Sequence, residues 1–299
     1  MLVELGSRVA VIPGGVNVGL LRGAGGRLVL IDTGLNETSG KKALKTAREE
    51  AGGEVGAILT THAHADHFGA NAAVVKRTGA RVYAPAFDEA ILRYPLLQPI
   101  SLYGGADPLD TLRGGFLLAD PSPVDQIVAP GPLTVEGIEL VVVPLHGHSP
   151  GQVGYLVDGI FFCADVVLPA SVLDKYRIPY LFSVTDHLAA LERASRTECR
   201  IAAPGHGAIL ETPTALADLI EVNRSLVDDV TARVLTLAAS STTAEAILTG
   251  LLTHFGAAVA DAPGFYLLQP TVFAFLSHLH RLGQIRHEVR QGQSLWTAT

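Results

Sequence analysis

Residues 61 to 69 read THAHADHFG and place His62, His64, Asp66 and His67 within six consecutive positions, in a chain with 11 histidines among 299 residues. In an extended loop, His62 and His64 project to the same side while Asp66 and His67 point elsewhere. Two neighbouring sets of nitrogen and oxygen donors suit two borderline-soft divalent cations about 3.5–4 Å apart. The plainer alternative is a histidine-rich surface loop, and the strand-like and helix-like segments framing this one argue against it.

The elements around the cluster explain how it could be held. Short apolar runs, RVAVIPG, VNVGLLRG and RLVLIDTG, are broken by Gly-rich turns, with GAGG as the clearest hairpin signal. A polar helix is expected at about 40 to 52, and the strand GAILTT then delivers the chain to His62. The segment from Asp66 reads as a helix closed by Gly79, followed by the strand ARVYAP. Residues 84 to 132 hold eight of the seventeen prolines and read as a long irregular insertion of the sort that covers a functional feature or pairs with another subunit. Beyond it, EG and DG mark hairpins between β-rich runs. His148 and Asp165 each follow a strand, as His62 does, and a helix at about 185 to 196 leads to CRIAAPGHG with His206. Sheet, ligand loop and helix therefore occur twice, as two halves facing a shared site.

From Thr212, a capping residue before Pro213, the composition turns helical, which places a domain boundary near 212. Helices are expected at about 213 to 239, 242 to 256 and 270 to 282, then two strands around Gln291-Gly292. This is a winged-helix-like module at 213–299 following a catalytic unit at 1–212. Phe273, Phe275, Leu276 and Leu279 form an apolar stripe read as core, and the module is a cap or dimerisation element.

A formal charge of -7 and a pI near 5.9 disfavour a general nucleic-acid or anionic-membrane binder. The amino terminus lacks a cationic segment followed by an apolar one, and no run reaches membrane-spanning length, so the expectation is a cytoplasmic protein with no membrane partner. Cys163 and Cys199 read as buried strand residues without the spacing of a zinc knuckle.

The motifs HAHADH, GHSPG, FFCAD and PGHG, in that order, resemble those of the metallo-β-lactamase superfamily, over roughly residues 1 to 212. The resemblance implies an α+β fold, a four-layer αβ/βα sandwich of two β-sheets between helices, with the metals at one edge. It implies that His62, His64 and His148 bind one metal, that Asp66, His67 and His206 bind the second, and that Asp165 bridges both. Asp32, in LIDTG, resembles a position whose carboxylate orients a ligand histidine. Zinc is the first expectation for both ions, with iron or manganese as alternatives. True β-lactamases of this fold usually carry Cys or Ser in place of the bridging aspartate, and flavo-diiron enzymes carry Glu where His64 stands. Glyoxalase II-like thioester hydrolases, lactonases, phosphodiesterases with ribonucleases, and persulfide dioxygenases remain.

The expected chemistry is hydrolysis of a carbonyl ester or thioester in a small-molecule substrate by a metal-bridging hydroxide, since water held between two cations has its pKa lowered from about 15.7 to near 7. Asp66 could relay a proton. Substrate contacts are expected in the loop after Asp165, from Lys175, Tyr176 and Arg177 first and Tyr180 next. His146, His187, His254, His278, His280 and His287 are not assigned to metal.

Two rivals keep the metal. An RNA-directed phosphodiesterase is one, because the carboxy-terminal segment resembles that of a branch containing an endoribonuclease. Residues 213–299 nonetheless hold only Arg224, Arg233, Arg281, Arg286 and Arg290 as strong cations against seven acidic residues, too few for a nucleic-acid-reading face. A persulfide dioxygenase with a single iron is the other. A regulator with a purely structural metal is disfavoured, since structural sites are normally closed by four protein ligands.

Overall fold

The computed structural model describes residues 2–299. Strands β1 (Val3–Glu4), β2 (Val9–Ile12), β3 (Val18–Arg22) and β4 (Arg27–Ile31) form an antiparallel run, with GAGG turning β3 into β4. Helix α1 (Glu37–Glu49) starts earlier than position 40 because Asn36 Oδ1 accepts from the amides of Thr38 and Ser39, at 3.1 and 3.2 Å. Strand β5 (Glu54–Leu59) ends just before the histidine cluster. The helix expected from Asp66 is two pieces, α2 (Ala65–Phe68) and α3 (Asn71–Thr78), broken at Gly69, where a Cβ would come within 2.0 Å of the Leu35 carbonyl oxygen. Strand β6 (Arg81–Pro85) follows.

The proline-rich insertion is more ordered than its composition suggests. It supplies α4 (Asp88–Arg93), α5 (Leu97–Leu102) and β7 (Gln126–Val128). Pro99 lies in the first turn of α5, where a missing N–H costs nothing. Strands β4 to β7 are parallel, completing a seven-stranded sheet in sequence order.

The second sheet has β8 (Gly131–Val135), β9 (Ile138–Pro144), β10 (Val153–Val157), β11 (Ile160–Ala164) and β12 (Ile201–Pro204), in the order β12-β11-β10-β9-β8. Its hairpin turns fall at Glu136-Gly137 and Asp158-Gly159, both residues of each pair having positive φ, as two-residue turns matched to strand twist require. Between β11 and β12 run α6 (Ala170–Tyr176) and α7 (Val184–Ser195). The stretch expected as a loop after Asp165 is thus partly helical.

The inner faces of the two sheets share one core, in which Val11, Leu21, Ile31 and Leu59 meet Val142, Val153, Tyr155 and Phe162. Tyr155 is fully buried there, and its hydroxyl donates to the Thr60 carbonyl at 2.9 Å. The outer face of the first sheet buries Ala43, Ala47, Phe68 and Val74 from α1 to α3, and that of the second buries Ala190, Leu191 and Ala194 from α7. These are the four layers of an αβ/βα sandwich.

The helical remainder consists of α8 (Pro213–Leu237), α9 (Ala244–Phe255) and α10 (Ala262–Arg281), then the antiparallel pair β13 (Ile285–Arg290) and β14 (Gln293–Ala298). Thr212 caps α8, accepting from the Ala215 amide at 3.1 Å. Helix α10 begins eight positions before the expected 270, because Asp261 caps it and Pro263 opens its first turn, while Pro270 lies inside it. The first turns of α8 add Leu216 and Ile220 to the core under α7, and its later turns add Val227, Val230 and Val234 to a core with α9 and α10. Ile178, Leu181 and Val184 also belong to this last core. Phe275, Leu276 and Leu279 are buried in it, whereas Phe273 is exposed. Among the described residues no helix is long and apolar enough to cross a membrane.

Candidate metal centre

Three strand ends deliver most of the polar side chains. Strand β5 releases Thr60 to Ala63 into an extended segment, in which the Thr61 carbonyl accepts from the Val153 amide at 3.0 Å. Strand β11 ends in a register shift between Phe162 and Ala164, and Ala164 has a φ of 50°. This strained, left-handed residue aims Asp165 out of the sheet. Strand β12 ends at Pro204, and Asn17 Nδ2 ties the following loop by donating to the carbonyls of Pro204 and Gly207, at 3.0 and 2.9 Å.

The sequence-marked side chains converge. Ligand atoms of His62, His64 and His148 lie within 4.8 Å of one another, as do those of Asp66, His67 and His206, and those of His62, His67 and Asp165. His64 Nδ1 lies 3.1 Å from His62 Nε2 and 2.9 Å from His148 Nε2. Asp165 Oδ2 lies 3.4, 3.5 and 3.3 Å from the Nε2 atoms of His148, His67 and His206. His206 Nε2 is 3.5 Å from Asp66 Oδ2. Asp165 therefore reaches nitrogens of both histidine sets.

Four of the five histidines are fixed from behind through the other nitrogen. His67 Nδ1 contacts Asp32 Oδ2 at 2.8 Å, His148 Nδ1 the Tyr180 carbonyl at 3.1 Å, His206 Nδ1 the Gly15 carbonyl at 2.7 Å, and His62 Nδ1 the Thr61 hydroxyl at 3.0 Å. Such contacts select the tautomer whose Nε2 lone pair faces inward. Asp32, itself at a φ of 59°, also accepts from the Thr61 amide and hydroxyl, each at 2.8 Å.

Electrostatics suits cation binding. Burial holds His62 and His148 well below the usual imidazole range and His64 at about 4, so these three are neutral at pH 7, as ligation requires. Burial alone would lower His67 and raise Asp165; each is reversed by the other and by further partners, Asp32 raising His67 and His206 lowering Asp165. Two buried atoms, His67 Nε2 and Asp165 Oδ1, lack a hydrogen-bond partner. At Gly205 an added Cβ would come within 2.1 Å of Asp165 Oδ1 and 2.8 Å of His67 Cε1. Unpaired inward-facing atoms, three neutral imidazoles, an ionised Asp165 and a cradle that excludes even a methyl group fit a bound cation.

The remaining predicted residues are distributed unevenly. A cavity of about 600 Å3 opens over the cluster, and Lys175, Tyr176 and Tyr180 line it. Arg177 is not among its lining residues; its guanidinium lies 3.3 Å from Asp174. The Tyr180 ring sits 5.3 Å from that of His64. His146 is turned aside, with Nδ1 2.9 Å from the Pro150 carbonyl.

Sequence reasoning missed Asp88. Its Oδ1 accepts from the Ala63 amide at 2.7 Å and its Oδ2 from the Gly151 amide at 2.6 Å, joining the loop of His62 and His64 to that of His148. Burial pushes this carboxyl up to about 6, so it is ionised and accepting at neutral pH. The preceding Phe87, in a left-handed conformation at φ 68°, sets its approach. Acidic residues at a helix start are common, and nothing local distinguishes this one.

The family model described as metallo-beta-lactamase superfamily matches residues 11–206. The chain belongs to the metallo-beta-lactamase superfamily. A hydroxyacylglutathione hydrolase from Albidiferax ferrireducens is 28% identical over 160 residues, 51% of this chain and 51% of its own. Another from Thiobacillus denitrificans is 27% identical over 158 residues, 52% and 51% of the two chains. The chain thus spans about half the length of the curated relatives it matches. Among solved structures of the superfamily's fold, a metallo-beta-lactamase family protein from Thermus thermophilus has a TM-score of 0.75 at 21% identity, over 99% of this chain and 100% of that one. A beta-lactamase domain protein from Burkholderia ambifaria gives 0.77 at 20%, over 100% and 94%. The likeness of fold extends through the carboxy-terminal helices.

Proposed function

We propose that the protein is a metal-dependent hydrolase of a carbonyl ester or thioester, with two divalent cations, zinc before iron or manganese, held by His62, His64 and His148 on one side and Asp66, His67 and His206 on the other, with Asp165 shared. The observation that carries the reading is the reach of Asp165 Oδ2 to nitrogens of both histidine sets, within 3.5 Å of each. Bound there, the cations would supply a water acidified toward neutral pH and Lewis-acid polarisation of a carbonyl oxygen. Asp32, Thr61 and the Tyr180 and Gly15 carbonyls hold the imidazoles in their ligating tautomers. Asp66 stands at the cavity edge with its carboxylate about one-third exposed, so it can accept a proton and pass it to solvent or to a leaving group. No serine or cysteine nucleophile is required.

The resemblance to hydroxyacylglutathione hydrolases supports a thioester. Lys175 is the only lysine or arginine among the described residues that line the cavity, which weighs against a polyanionic RNA strand.

The test is an assay of metal-reconstituted protein on an acyl-glutathione thioester, a lactone, bis-p-nitrophenyl phosphate, single-stranded RNA and glutathione persulfide. Turnover of the thioester or lactone is expected, and Asp165→Ala or His148→Ala should lower metal content and turnover together. Activity confined to RNA or the phosphodiester, oxygen uptake with the persulfide, or full activity in metal-free protein would overturn the proposal.

A further inference from the structure

The polar groups of the cavity over the cluster concentrate at its floor, where it meets His64, Asp66, His148, Asp165 and His206. Its walls are mostly apolar, with Gln98, Lys175 and Asp261 the exceptions. Helix α6 contributes Val172, Leu173 and Tyr176; none of its residues is fully buried, Val172 and Leu173 being half-buried and Tyr176 exposed. The segment joining α9 to α10 contributes Ala257 and Val259, and α10 adds Leu267. The charges at the walls are already engaged. Lys175 Nζ lies 4.7 Å from the Tyr176 ring centroid, and Asp261 caps α10 by accepting from the Gly264 amide at 2.8 Å.

Resting on the carbonyl-hydrolase reading above, we infer that the substrate carries an apolar acyl chain, seated between α6 and the α9–α10 connection with its carbonyl over the metal cluster. A ligand pocket lined by apolar side chains with a few convergent polar groups at one end suits a ligand of that polarity. A tripeptide thiol bearing two carboxylates would find one ammonium to pair with. An alkyl chain needs no partner there, and it would cover the apolar face that α6 otherwise leaves to water.

The experiment compares N-acetylcysteamine thioesters, whose thiol is small and neutral, from acetyl through butyryl, hexanoyl and octanoyl to decanoyl. The expected result is a rise in kcat/KM of about fourfold per buried methylene, the factor equivalent to about 0.8 kcal/mol. Ala257→Trp should lower kcat/KM for the octanoyl ester roughly tenfold more than for the acetyl ester, by filling the chain's space. Decanamide, which is not turned over, should bind metal-free protein in calorimetric titration with a negative heat-capacity change, the mark of apolar burial. A flat series in which every thioester is hydrolysed overturns the chain assignment and leaves the hydrolase reading standing. Binding of decanamide without hydrolysis of any thioester overturns the hydrolase reading and supports the assignment of the cavity. Failure of decanamide to bind overturns that assignment directly.

Discussion

Asp88 and Gly151 are joined by a 2.6 Å hydrogen bond from the glycine amide to the Asp88 Oδ2, in a place where a Cβ on Gly151 would come within 2.0 Å of the Ala86 carbonyl oxygen. The second oxygen of the same carboxylate holds the Ala63 amide. One buried side chain therefore fixes the spacing between two loops that arrive from different sheets, each carrying histidines of the same set. Asparagine at this position has one acceptor and presents a donor to the other amide. Asp88→Asn is expected to cost about 1–3 kcal/mol in urea unfolding by orphaning a buried N–H, and to reduce zinc retained on dialysis. Unchanged stability and unchanged retention would show that the loops hold their spacing without it.

Gly205 tests the cradle. Its replacement by Ala drives a methyl group into Asp165 Oδ1 and the His67 ring. Gly205→Ala should keep a native far-ultraviolet circular dichroism spectrum while losing bound metal and, by analogy with other small displacements of reacting groups, about a hundredfold in kcat. Metal analysis by plasma mass spectrometry checks it, and full occupancy would contradict the packing argument.

Asp32 acts through His67. Without the carboxylate, His67 Nδ1 has no acceptor, and the Thr61 amide and hydroxyl lose theirs. Asp32→Ala is expected to weaken metal affinity about 10- to 100-fold, as loss of a carboxylate behind a ligand histidine typically does. Competition with a chromogenic chelator measures the change.

His187 should set an acid limit on stability. Burial, aided by the charge of Arg224, lowers its folded value to about 4 from the ordinary 6.5, and its Nδ1 lacks a hydrogen-bond partner. Between these values the unfolded chain binds the proton and the folded chain does not, so stability falls as pH drops from 6.5 toward 4. The loss is about 3 kcal/mol over the whole window, at about 1.4 kcal/mol per pH unit. Urea unfolding across that range should show a shallower dependence in His187→Leu than in the native chain. Parallel profiles would place the acid sensitivity elsewhere.

The side chains that converge were legible because their short motifs follow strand-like runs, and chain-local spacing is what a sequence displays; their division between two metals came from the resemblance to the superfamily. The hairpins at Glu136-Gly137 and Asp158-Gly159 were legible because such pairs announce their turn geometry, whereas the four-layer arrangement came only from the resemblance to the superfamily. What stayed hidden depends on contacts between distant segments. Asp88 brings Ala63 and Gly151 together, and no property of its neighbours marks it. Lys175, Tyr176 and Arg177 are adjacent in the chain, yet the helix around the first two and the positive φ of Arg177 send the third away from the cavity. Helix α10 was placed too late because Pro270 looks like a beginning, while the capping carboxylate of Asp261 lies a full two turns upstream.

The helix from Pro213 to Leu237 is inserted into two interiors at once, its first turns beneath α7 and its later turns among α9 and α10. Such a rod ties the half that carries the histidine cluster to the α9–α10 side of its mouth through one continuous element. A fragment severed at 212 would carry Ile178, Leu181 and Val184 as a naked oily scar, prone to clumping.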